Sequence, residues 1–318
     1  MRRFLTLAAA ALMASVVYAD DYPSKPIRVI VPYAPGGAGD LIGRAIGTKM
    51  TEAWGQQILI DNRPGAGGNI GTELAARSPA DGYTLLLGTD IQMAINPHLF
   101  KNLPFDPERD FAPVIAADYV AFVLAANPAV PAKTVPELVA YVKAHPGKLN
   151  YGSAGVGSTH HLTMEWLKTV AGIDIIHVPY KGSGQLLPDL LSGQIQLAYM
   201  GLSPAIPYIK AGRLRALAVG TASRLSSEPQ LPTLAETYPG IEAGATWSYF
   251  APAGTPRAIV LKLNQEIDKI QKMKDVQDLL MAQGLMPVGG TPEDLAARTR
   301  SDSARWAKVI QQAGVRAE

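Results

Sequence analysis

The chain has 318 residues, no cysteine, 29 Lys and Arg, 27 Asp and Glu, and a formal charge of +2. A chain of that length buries roughly three quarters of its unfolded surface and has room for two domains, so it needs no disulfide staple. Its near-neutral balance argues against nucleic acid or an anionic membrane as partner. Met1-Arg2-Arg3, the apolar run Phe4 to Val17, and Ala19 ahead of Asp20-Asp21 have the order of a secretory signal peptide. Residues 1–19 are therefore expected to be cleaved after Ala19, which removes Arg2 and Arg3 and leaves 27 basic against 27 acidic residues. The apolar core is too short to remain as a membrane span. Without cysteine the product is not a lipoprotein, and an untethered periplasmic protein is expected.

Ile27 to Tyr33 is short, β-branched and followed by glycine, which predicts a buried strand. The loop Ala34-Pro35-Gly36-Gly37-Ala38-Gly39 leads to Asp40, which opens a helix with an apolar face of Leu41, Ile42, Ala45, Ile46 and Met50. A strand over 57–60, the loop Asn62 to Gly68, a helix over 70–77 and a strand over 83–87 complete a run whose spacing implies right-handed crossovers and a parallel sheet. A strand at 120–126 leaves this unit, and a second α/β run follows. It comprises helix 135–144, strand 148–153, loop 154–158, helix 159–171, strand 175–178, helix 185–192, and strands 195–200 and 215–219. Thr246 to Phe250 returns to the first unit, and helices near 256–271, 273–283 and 292–313 close the chain. The expected fold is α/β with two discontinuous lobes, 20–122 with 250–318 and 123–249. Each is a mainly parallel sheet flanked by helices, and strands near 120–126 and 246–252 cross between them.

A local design occurs twice. Pro32 to Asp40 and Tyr151 to Thr159 each set a small-residue loop between a strand and a helix N-terminus. The first turn of a helix carries unpaired N–H groups and about half a positive charge, so it receives a carboxylate or phosphate without a cationic side chain. In an open sheet such loops lie at the carboxyl ends of the strands, where ligands bind. Neither loop holds a Lys or Arg, so recognition there rests on N–H groups, the Ser153, Ser158 and Thr159 hydroxyls, and water. The plainer alternative is a pair of ordinary capped turns.

The ordered motifs Val31-Pro32-Tyr33-Ala34-Pro35-Gly36-Gly37 with Asp40, Asn62-Arg63-Pro64-Gly65-Ala66-Gly67-Gly68-Asn69, and Asp81-Gly82-Tyr83-Thr84-Leu85-Leu86 carry a resemblance. Gly157-Ser158 before His161-Leu162, His177 to Gly182, and Pro252-Ala253-Gly254-Thr255-Pro256 complete it. Over nearly all of the mature sequence the chain resembles the Bug-type substrate-binding proteins of tripartite tricarboxylate transporters. The resemblance implies a type II periplasmic-binding-protein fold, a Venus flytrap that holds a ligand carboxylate between Tyr33–Gly37 in one lobe and Ser153–Thr159 in the other. It implies a small carboxylate-bearing solute and a membrane permease as partner; delivery of the closed form to a sensor ectodomain is the alternative, and no cofactor is expected. Many members end one strand in Phe-Asp where this chain has Tyr199-Met200-Gly201, so the ligand type does not transfer.

The expected ligand-binding set is Tyr33, Ala34, Gly36, Gly37, Thr89, Asp90, Ser153, Ala154, Gly157, Ser158, Thr159, His160, Tyr180 and Gly201. Thr89 and Asp90 follow a strand end, where a surface loop is the alternative. Asp40 reads as a helix cap. His160 and His161 diverge by about 100 degrees on a helix, so they do not chelate one metal; His160 is assigned to the cleft and His161 to structure. Trp247 and Tyr249 suit core or cleft. No metal site, no nucleic acid and a monomeric state are expected. An enzyme is disfavoured: Gly37-Ala38-Gly39 continues to Gly43 as GxGxxxG rather than GxGxxG, and GxSxG and HExxH are absent.

Overall fold

The computed structural model describes residues 22–316, so the signal-peptide reading of residues 1–19 lies outside the described residues. The opening run is β1 (Ile27–Val31), α1 (Ala38–Trp54), β2 (Ile58–Asn62), α2 (Asn69–Ala76) and β3 (Thr84–Thr89). The short helices α3 (Asn96–Leu99) and α4 (Pro107–Asp110) lead into β4 (Phe111–Val120) and β5 (Phe122–Ala126). Next come α5 (Val135–Ala144), β6 (Asn150–Ser153), α6 (Thr159–Ala171), β7 (Ile176–Pro179), α7 (Leu186–Ser192) and β8 (Leu197–Gly201). The chain ends through α8 (Leu202–Lys210), β9 (Arg215–Val219), α9 (Leu234–Thr237), β10 (Ala245–Pro252), α10 (Arg257–Gln271), α11 (Lys274–Met281), β11 (Leu285–Gly289) and α12 (Pro292–Ala313).

Local chemistry sets many of these boundaries. Thr134 caps α5 by accepting the Glu137 N–H, Ser158 caps α6 through the His161 N–H, and Gly172 ends α6 in the left-handed region. Thr291 and Asp294 form a reciprocal box at the start of α12. Val29, Ile30 and Val31 are fully buried because helices cover both faces of β1.

The strands form a six-stranded sheet in the order β11-β4-β10-β3-β1-β2 and a five-stranded sheet in the order β7-β6-β8-β5-β9. This is an α/β architecture, but each sheet is mixed rather than mainly parallel. β1 pairs in parallel with β2 and β3, and β6 with β7 and β8. β10 runs antiparallel to β3 and β4, and β5 antiparallel to β8 and β9. The reversal follows from the crossings: a strand that enters a sheet from the other one arrives from the opposite end. β4 and β11 are unpredicted, since Pro113 and Pro287 interrupt their alternation, and β11 takes an edge where proline is tolerated. α8 is unpredicted for the same reason, with Pro204 and Pro207 inside it.

Only Ala121 separates β4 of the first sheet from β5 of the second. The return passes Gly220, whose N–H donates to the Phe122 carbonyl at 2.9 Å, and Ala243, which donates to the Gly220 carbonyl at 2.9 Å. The sequence counts 250–318 with the first lobe. In the structure Leu295 of α12 packs with Phe111 and Phe250 of the first sheet, whereas Trp306 packs with Leu138 and Leu162 and meets Trp166 of α6 at 6.1 Å. One helix therefore ties both cores.

Asp118 of β4 is 0% exposed and neither carboxylate oxygen has a hydrogen-bond partner. Burial pushes its carboxyl up to about 7. The folded value lies above the unfolded one, so the neutral form's stability is complete below about pH 4 and is lost as pH rises through about 7. Asp118→Asn is therefore expected to raise Tm at pH 8 by roughly 4–8 °C, from roughly 2–4 kcal/mol of relieved burial, and to leave it unchanged at pH 4. Thermal melts across that range test this. A gain that does not vary with pH contradicts it.

Candidate functional site

The two glycine-containing turns foreseen from the sequence border one cleft of about 780 Å³. From the first come Tyr33 and Ala38, and from the second Ala154, Val156, Gly157, Ser158 and Thr159. The floor is built by strand pairing. Trp247 lies opposite Thr89, Ala245 opposite Val120, and Phe122 opposite Gly201, so the crossing strands set these six residues beneath the turns.

A ring of hydrogen bonds organises the side formed by the six-stranded sheet. Gln92, fully buried, donates from Nε2 to Tyr33 Oη at 2.8 Å and to the Gly67 carbonyl at 2.8 Å. Its Oε1 accepts from Thr89 Oγ1 at 3.0 Å and from the Thr89 N–H at 3.0 Å. Tyr33 Oη lies 3.2 Å from Thr89 Oγ1. Since the Thr89 proton goes to Gln92, the Tyr33 hydroxyl is the donor to Thr89 and closes the ring. Burial raises the Tyr33 phenol, which keeps it neutral. Its ring edge rests on Trp247 at 5.3 Å. Gln92 needs the bare backbone of Gly68, where a Cβ would stand 2.3 Å from Nε2. Asn96 donates to Asn69 Oδ1 at 2.6 Å, which joins the same loop to the helical segment after β3.

On the other side Gly157, at φ +79°, donates its N–H to His161 Nδ1 at 3.1 Å. His161 stacks on His177 at 4.0 Å, and His177 stacks on Tyr151 at 4.9 Å. His161 thus supports the turn from behind, as the sequence assigned. Thr159 is 1% exposed with an unpartnered Oγ1, and His160 Nδ1 is buried without a partner while both residues line the cleft. Desolvation lowers His160 to about 4, so at neutral pH it offers a hydrogen bond rather than a charge.

The structure brings Tyr33, Thr89, Ala154, Gly157, Ser158, Thr159, His160 and Gly201 together in this cleft. The other predicted residues stand elsewhere. Ala34, Gly36 and Gly37 are exposed residues of the first turn, between the lining residues Tyr33 and Ala38. Ser153 is 0% exposed and braces the second turn, 2.6 Å from His177 Nε2. Tyr180 gives its hydroxyl to Asp189 at 2.5 Å. Asp90 faces away into a separate cavity of about 590 Å³ with Glu242, Arg298, Asp302 and Arg305, where burial pushes its carboxyl up to about 7. Asp40 accepts the Gly36 N–H at 3.1 Å and a hydrogen bond from Arg44, which holds its carboxyl below the usual range.

Sequence reasoning misses Gln92 and Asn96, although their spacing of four places them on one helical face behind the loop they hold. It also misses the apolar wall of Leu99, Phe100, Phe122 and Leu187. None of the lining residues is Asp, Glu, Lys or Arg. What the arrangement offers is a largely apolar cleft with neutral donors and two long helices, α1 and α6, starting at its edge. Among the described residues no cluster of His, Cys, Asp and Glu is arranged to hold a metal, and no helix is long and apolar enough to cross a membrane.

Two sheets with a cleft at their shared crossing define a periplasmic solute-binding protein. The chain belongs to the tripartite tricarboxylate transporter family receptor family, TctC, whose sequence model matches residues 42–315. It is 36% identical to Protein BugT of Bordetella pertussis over 97% of this chain and 95% of that protein. Among solved structures it is similar to R. palustris Rpa4515 with adipate, at 37% identity and TM-score 0.81 over 93% of this chain and 99% of the other. MatC from Rhodopseudomonas palustris with bound malate matches at 31% identity and TM-score 0.77 over 91% and 100%. The Bug-type resemblance seen in the motifs is thereby borne out. This family and these neighbours bind substrates and are not enzymes.

Proposed function

We propose that this chain captures a small carboxylate-bearing solute in the periplasm, after cleavage at Ala19, and delivers it to a permease of the tripartite tricarboxylate type. The observation that carries this reading is the meeting of two strand-to-helix turns without Lys or Arg, one from each sheet, on one cleft. The donors of α1 and α6 then act on a single anionic group from both sides, with Thr159 Oγ1 and His160 supplying side-chain hydrogen bonds. The adipate and malate held by relatives are carboxylates, which supports the same chemistry. In this reading the lobes are residues 20–122 with 250–318 and residues 123–249, the hinge lies at Ala121 and near Ala245, and bound solute favours the closed form because only that form satisfies contacts from both lobes.

Titration calorimetry with carboxylic acids and their matched primary amides tests the proposal. The acids are expected to bind and the amides to bind at least 100-fold more weakly. A bound acid at a hundred times its Kd is expected to add about 2.7 kcal/mol of stability. Equal affinity for amide and acid would remove the anion reading.

A further inference from the structure

We infer that the preferred solute carries one carboxylate on an apolar body, rather than two carboxylates or an amino group; this rests on the carboxylate reading above and narrows it. Three observations point the same way. No Asp, Glu, Lys or Arg lines the cleft and burial keeps His160 neutral, so an ammonium group or a second carboxylate carried into it would lose water with no opposite charge to meet.

The two longest helices that start at the cleft do so at the two turns. α1 and α6 have 17 and 13 residues, and Thr159 beside the α6 terminus keeps an unpartnered, buried hydroxyl. The nine-residue α8 also starts at the cleft, with the Leu202 N–H given to the Ala121 carbonyl at 2.9 Å and no N–H on Pro204. At α2, Gly68 donates to the Gly65 carbonyl at 2.9 Å and Asn69 to that of Ala66. The two turns together serve one anionic group.

Finally, the remaining wall is apolar. Leu99, Phe100, Phe122, Leu187, Met200 and Trp247 enclose the space beyond the donors. Contact with an alkyl chain or an aromatic ring removes this surface from water. Met200 and Leu187 belong to the five-stranded side of this wall.

The test is a calorimetric comparison of hexanoate and benzoate with adipate and malate on the wild-type mature protein. Hexanoate or benzoate is expected to bind at least tenfold more tightly than either diacid. Adipate or malate binding as tightly as the monoacids overturns the inference and leaves the carboxylate reading standing. Failure of all four to bind to folded protein overturns both. Met200→Arg supplies the missing charge, and Leu187→Arg does so on a half-buried helix position in case the first variant does not fold. Each is expected to weaken hexanoate at least tenfold and to shift the adipate-to-hexanoate ratio toward adipate. An unchanged ratio in a folded variant counts against the inference.

Discussion

Gly157→Asp is expected to weaken carboxylate binding at least 100-fold, about 2.7 kcal/mol, while the protein stays folded. Gly157 sits at φ +79° in the turn ahead of α6, and a Cβ there would stand 2.5 Å from Leu99 Cδ1 on the opposite wall. The substitution thus adds bulk against the Leu99 side chain. It also sets a negative charge beside the helix start proposed to receive the anion, where the dipole favours the charge already built in over one arriving from solution. The left-handed backbone costs an Asp about 1–2 kcal/mol, a loss a folded domain of this size tolerates. Gly157→Asn separates the causes, having the same shape and backbone tolerance without the charge. Calorimetry on both variants, with the quenching of Trp247 fluorescence as a second readout, should show Asp weaker than Asn by at least tenfold. Full affinity in the Asp variant would move the site away from the second turn.

Gln92→Leu is expected to cost about 3 kcal/mol of stability and 10- to 100-fold in affinity (about 1.4–2.7 kcal/mol). Leucine fills similar space, but Tyr33 Oη loses a donor, the Gly67 carbonyl loses its Gln92 bond, and the Thr89 N–H and Oγ1 lose their acceptor. Leaving several buried polar groups unpaired is more damaging than removing one bond between exposed ones. No atom of Gln92 is among those lining the cleft, so its influence on affinity passes through the positions of Tyr33, Thr89 and the Gly67 loop. Urea unfolding should show a lower midpoint with an unchanged slope, and calorimetry a weaker solute. A variant that loses stability and keeps its affinity would show that the ring supports the fold without setting the cleft.

The contrast between these two positions shows how the site was encoded. Gly157 was visible in the sequence because a small residue between a strand and a helix is a local pattern, and the chemistry of a helix start depends on a few adjacent residues. Gln92 was not, since the partners that tie it to the first turn and its neighbouring loop, Tyr33 and Gly67, lie 59 and 25 residues away and nothing near it in the chain announces them. Thr89 and Asp90 make the same point at closer range. They were expected to share a ligand, yet Thr89 lines the cleft and Asp90 the cavity behind it. Side chains leaving a strand alternate in direction, so neighbours in sequence serve opposite faces. Ala34, Gly36 and Gly37 lie in the first turn and are exposed, while its ends, Tyr33 and Ala38, line the cleft.

By itself the sequence determined the order of strands and helices in both opening runs, the two strand-to-helix turns and the family, because periodicity, caps and glycine placement are short-range properties of the chain. Tertiary structure alone decided that the sheets are mixed, that α12 ties both cores, and that the cleft holds no charged side chain. Those outcomes depend on which strands pair across more than a hundred residues and on which face of each strand end is left open, and long-range packing settles both.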